Sequence, residues 1–133
     1  MNARVHKQRG FRRLLNALGH QYAGSKHALA NDPAIRQVGA GVAILIIVSI
    51  FLHVGVLEHL LLAVVTAQVL LFEVINSAIE ATVDRISQEQ HPLSREAKDL
   101  GSVAVGLAVL IASSCWLVIC WPLVAGLLPR MNA

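Results

Sequence analysis

Glu73, Asn76, Ser77, Glu80 and Asp84 stand at offsets of 0, 3, 4, 7 and 11 in the chain. At about 100° per residue, an α-helix brings all five within about 60° of one line along its surface. Three carboxylates, an amide and a hydroxyl then share one stripe. The stripe follows an apolar run from Leu60 to Leu71, and the two together are long enough to cross a bilayer. Glu73 lies roughly 20 Å along that span, counted from its uncharged end. An ionisable group at such depth costs at least about 3 kcal/mol unless it is paired, protonated or facing water, so the expectation is that it works there. Carboxylates alone could bind a cation or pass protons. The sequence adds cations on the same side of the membrane: Arg13, Arg85, and Lys98 next to Asp99. Metal-assisted phosphoryl transfer uses acids that hold a divalent metal, bases that neutralise phosphate oxygens, and one acid that takes the proton of an attacking hydroxyl. A soluble nucleotide-binding motif is absent from the sequence. No glycine is followed by Lys, and Gly39-Ala40-Gly41 lacks the third glycine of a dinucleotide fingerprint.

The elements that must position this stripe are membrane spans. Of 133 residues, 56% are hydrophobic and 14% charged, whereas a soluble domain carries roughly a quarter charged residues. That excludes a water-soluble globule, and it excludes disorder, which needs low hydrophobicity and high charge. Cys115 and Cys120 are five apart in one apolar run, on different faces of any helix there, so neither a disulfide scaffold nor a metal site is expected. Uncharged runs occur at Val38–Leu57 and Val103–Leu128, on either side of the stripe-bearing segment. Three spans follow, at about 34–56, 58–86 and 95–122, in a single domain over 1–133. Pro92 should stop the second helix, and Ser94 with Glu96 could cap the third. Trp121 falls at the far interface, where such rings collect.

Charge sets the orientation. The net charge of +3 is concentrated at the start of the chain, with Arg4, Lys7, Arg9, Arg12, Arg13, Lys26 and Arg36 all within residues 1–37. Arg85, Arg95 and Lys98 flank the second connection, and Arg130 alone follows the third span. The positive-inside rule then places the N-terminus and the 84–100 connection in the cytoplasm and the C-terminus outside. The basic charge is thus matched to a membrane, and no nucleic-acid partner is expected. No cleaved signal peptide is expected either, because the apolar run starts late, at Val38. Within the basic arm, Phe11, Leu14, Leu15, Leu18, Tyr22 and Leu29 fall on one helical face, with Arg12, Arg13, Asn16, His20 and His27 on the other. The expectation is an amphipathic surface helix over about 9–30. It either anchors the chain or presents Arg13 and His20, seven residues apart, to a bound anion.

Residues 73–84, Glu-Val-Ile-Asn-Ser-Ala-Ile-Glu-Ala-Thr-Val-Asp, resemble the signature of the prokaryotic diacylglycerol kinases, small integral-membrane lipid kinases. Ala97-Lys98-Asp99-Leu100-Gly101-Ser102 also resembles that family, as do the basic arm and the three spans, over roughly residues 10–122. The resemblance implies an all-α trimeric bundle in the bacterial inner membrane, each chain carrying a surface helix and three transmembrane helices. It implies ATP as co-substrate, Mg²⁺ as cofactor and a membrane lipid alcohol as acceptor. By position it implies Glu73 as catalytic base and Asn76 as an orienting group. Glu80 and Asp32 would be metal carboxylates, and Arg13, His20, Asp84, Lys98 and Asp99 would lie near the nucleotide; His91, in the polar connection, either lies near ATP as well or is merely solvated. Asp32 departs from the family's usual Glu, and Asp32-Pro33 is also a strong helix start. His20 stands where the family usually has Tyr, which adds a titratable group.

The expected activity is transfer of the γ-phosphoryl of MgATP to diacylglycerol, giving phosphatidic acid. A polyprenol such as undecaprenol is the alternative acceptor, and a small ion- or proton-conducting oligomer is the rival from another class. One chain's three spans and surface helix cannot wall off ATP, metal and lipid on several sides, so the sites are expected to be shared between subunits of the homotrimer.

Overall fold

A computed structural model of the chain describes residues 11–86 and 91–126. Arg4, Lys7 and Arg9, the connection at 87–90, and Arg130 lie outside the described residues. Those described form four helices: α1 (Phe11–Asn31), α2 (Pro33–Ile50), α3 (Val56–Ile86) and α4 (Pro92–Ala125). The chain divides into two units, one ending at Pro33 and the other starting at Ala34.

The first unit is α1. Its amide hydrogen bonding runs through Asp32, whose N–H donates to the Ala28 carbonyl at 2.9 Å. Pro33 then ends the run, since it has no N–H and disfavours helical backbone in the residue before it. Asn31 secures the last turn by donating from Nδ2 to the His27 carbonyl at 2.9 Å. Leu15, Leu18, Tyr22 and Leu29 are exposed, and so are Arg13 and His20.

The second unit holds three helices long and apolar enough to cross a membrane. Pro33 occupies the first helical position of α2, where a missing N–H costs nothing. The apolar run that supplied the first candidate span divides at Ile50. Phe51 and Leu52 donate to the carbonyls of Val48 and Ser49, and these i→i−3 bonds tighten the last turn and close the helix. α3 restarts at Val56. At the other end of α3, Pro92 opens α4. The cap is His91, whose Nδ1 accepts from the Leu93 N–H at 3.2 Å. It takes the place expected for Ser94, which lies inside the helix because Pro92 is preorganised for its first turn.

Each helix of this unit buries a narrow stripe. On α2 it is Ile35, Val42 and Ser49; on α3 it is Leu62, Val65, Thr66, Glu73 and Asn76. On α4 it is Gly101, Ala108 and Ala112, three small residues that let two backbones approach closely, which is how helices associate where lipid offers no hydrophobic drive. α3 and α4 pack along each other, and Trp116 Nε1 donates to Thr66 Oγ1 between them at 2.9 Å. Lone hydroxyls are satisfied within their own helix: Ser49 donates to Ile46 O, Thr82 to Ala78 O and Ser114 to Leu110 O.

Candidate active site

The stripe on α3 is graded in depth. Glu73 and Asn76 are both 8% exposed, Ser77 and Glu80 are half-buried, and Asp84 is exposed. One unbroken helix therefore carries acids from a buried position to an accessible one. Asn76 Nδ2 donates to Glu80 Oε1 at 3.1 Å, the contact that an i,i+4 pair on one face permits. The donor holds one oxygen of that carboxylate, Oε1. Asn76 Oδ1 is buried and has no hydrogen-bond partner among the described residues.

α4 supplies the cation. Lys98 Nζ donates to Asp84 Oδ1 across the two helices, tying the accessible end of the stripe to the start of α4. Asp99 lies one residue on and faces Arg95 at 3.8 Å, an exposed i,i+4 pair of the kind that contributes little to stability. Of the residues singled out in the sequence, the structure thus brings together Asn76 with Glu80 and Asp84 with Lys98. It places Glu73 on the same buried face. His91 is occupied as the cap of α4. Arg13, His20 and Asp32 belong to the α1 unit described above.

Two features were not anticipated. One is the contact made by Gly101, which faces Asn76 from α4; the sequence marked this glycine only as part of the family-like segment 97–102, with no sign of what it packs against. The other is a groove of about 530 Å³ between α2, α3 and α4, lined by Val38, Val42, Thr66, Val69, Ala112 and Trp116 among others. Thr66 and Val69 precede Glu73 by seven and four residues, so the α3 wall of the groove continues the face that carries Glu73. The groove is apolar, and its one α3 hydroxyl is already engaged by Trp116.

Residues 19–120 match the sequence model of the family described as prokaryotic diacylglycerol kinase. The chain is 39% identical over 112 residues to a diacylglycerol kinase of Escherichia coli K12, covering 84% of this chain and 92% of that one. It is 43% identical over 109 residues to a diacylglycerol kinase of Pseudomonas aeruginosa, covering 82% and 89%. With a diacylglycerol kinase of Helicobacter pylori J99 it shares 34% identity over 110 residues, covering 83% and 86%.

Proposed function

The chain belongs to the prokaryotic diacylglycerol kinase family, and from that premise we propose that it moves the γ-phosphoryl of ATP to the hydroxyl of diacylglycerol in the bacterial inner membrane. The observation that carries the reading is the graded α3 stripe, with a buried acid at one end and a Lys-paired acid at the other. Glu73, the buried acid, takes the proton of the acceptor hydroxyl as its oxygen bonds to the γ-phosphorus. The bond from that phosphorus to the β,γ-bridging oxygen breaks, and ADP leaves with the electron pair. Asn76 orients Glu80, while Lys98 and Arg13 face phosphate oxygens. His20, Asp84, His91 and Asp99 complete the surroundings of the nucleotide.

Among the described residues, no three His, Cys, Asp or Glu side chains form a metal-holding group. The donors on the stripe nevertheless fit Mg²⁺, a hard cation that keeps several waters and binds one or two carboxylates plus substrate phosphates. Glu80 would hold it, with Asp32 as a second carboxylate, and an unpartnered buried amide oxygen stands beside Glu80. When bound, Mg²⁺ neutralises charge on the β- and γ-phosphates. The apolar groove, whose α3 wall lies on the same helical face as Glu73, supports a lipid acceptor, since an aliphatic chain can lie in it.

The test is purified protein in detergent with radiolabelled ATP and a panel of lipid alcohols. Label in phosphatidic acid supports the reading, and label only in a polyprenyl phosphate replaces the acceptor. No lipid label at all removes the activity.

A further inference from the structure

Gly101 lies in regular helix, where glycine costs about 1 kcal/mol relative to alanine, and its backbone is not in a conformation that calls for glycine. What a β-carbon would meet there is specific. It would collide with Asn76 Oδ1 and stand 3.4 Å from Asn76 Cγ and 3.6 Å from Ile79 Cδ1. Gly106, five residues further along α4, has nothing within 4 Å of the same position. The bare backbone at Gly101 therefore accommodates one side chain above all, and that side chain is the one donating to Glu80.

We infer that Gly101 is a positioning residue for Glu80, acting through Asn76: the missing side chain on α4 lets the Asn76 amide lie with Oδ1 against α4 and Nδ2 on the Glu80 carboxylate. The inference rests on the proposed role of Glu80 as a metal carboxylate. The contact atom is the end of a side chain, which rotates more readily than two packed helices separate. Those helices are tied on both sides of Gly101, by Lys98 to Asp84 and by Trp116 to Thr66. An alanine at 101 thus turns the amide and leaves the fold. Nδ2 leaves Glu80, and the carboxylate loses the donor that fixes its orientation towards a cation.

The experiment uses the full chain in detergent with five variants: Gly101→Ala, Gly106→Ala, Asn76→Ala, Gly101→Ala/Asn76→Ala and Glu80→Gln. Turnover is measured against Mg²⁺ concentration, Mn²⁺ binding in the presence of ATP is followed by electron paramagnetic resonance so that an inactive variant still reports, and thermal unfolding is recorded for each. Gly101→Ala should raise the half-saturating metal concentration about tenfold, as loss of an outer partner of a metal ligand does, with little change in unfolding temperature. Gly106→Ala should match the unaltered chain. Asn76→Ala should show the same rise, and the double variant no more than either single one, because the two act in series. A wild-type metal response in Gly101→Ala, or rises that add in the double variant, overturns the inference. If Gly101→Ala does not fold, the double variant decides: recovery of the fold supports the collision with Asn76, and no recovery overturns it. Glu80→Gln separates the two levels. If it leaves the metal response unchanged, the proposed role of Glu80 fails, and the inference with it; if it changes the response and Gly101→Ala does not, the inference alone fails.

Discussion

Glu73 and Glu80 carry the same functional group two helical turns apart, and in the proposed mechanism their different surroundings divide the work between them. Glu73 is buried, where an acid can meet a hydroxyl presented by a lipid; Glu80 is half-buried and held by an amide donor, nearer to where a hydrated cation arrives. Replacing Glu73 by Gln should therefore lower turnover by about 10²-fold or more and leave nucleotide binding largely intact, as measured by ATP titration beside single-turnover rates. Retention of more than about a tenth of the rate would remove it as the base. Glu80→Gln should lower turnover and also raise the Mg²⁺ requirement. The stripe itself was legible in the sequence, because helical spacing and residue type are both local. Neither the Asn76–Glu80 bond nor its dependence on Gly101 was legible to the same degree: an i,i+4 spacing permits the bond, but the bare spot on α4 is a contact across twenty-five residues of sequence.

Between helices, a polar contact away from the stripe is instructive. Trp116 donates to Thr66 at the edge of the groove, in a region that reads in the sequence only as apolar. Thr66→Val leaves the indole N–H without its acceptor and should destabilise the fold by about 0.6 kcal/mol, at most roughly 1.7 kcal/mol, the range of interhelical hydrogen bonds in membranes. Reversible unfolding in mixed micelles measures it. Trp116→Phe should cost a similar amount, and the pair together less than the sum; full additivity would show that the bond contributes nothing. Hydropathy located the three long helices because transfer to hydrocarbon selects long apolar runs. It could not locate their ends. The turn after Ile50 is built from backbone bonds among residues as apolar as the helix, and a ring nitrogen of His91, not a hydroxyl, caps α4 because Pro92 fixes where that helix begins.

For the whole molecule, the asymmetry of Lys and Arg predicts that the N-terminus faces the cytoplasm and the C-terminus the outside. In a chain freed of Cys115 and Cys120, Ala3→Cys and Asn132→Cys should differ in labelling by an impermeant thiol reagent in intact cells; equal labelling contradicts the topology. Assembly is the second expectation at this scale, since one chain's three spans and surface helix cannot wall off ATP, metal and lipid on several sides. Glu73→Gln mixed with Arg13→Ala, Asp32→Asn or Lys98→Ala, with subunit exchange confirmed independently, should regain activity in at least one mixture. Uniformly inactive mixtures would mean that each chain carries its own complete site. The gradation of α3 has a kinetic consequence. From Glu73 to Asp84 is about 16 Å of helix, and across it exposure rises from 8% for Glu73 to 65% for the Asp84 side chain. In the proposed reaction this one helix serves two substrates that are counted on different scales. ATP is sensed as moles per litre, the acceptor as a mole fraction of the surrounding amphiphile. Adding buffer at constant ATP concentration should leave the rate per enzyme unchanged, whereas adding inert detergent to a fixed, subsaturating amount of acceptor should lower it.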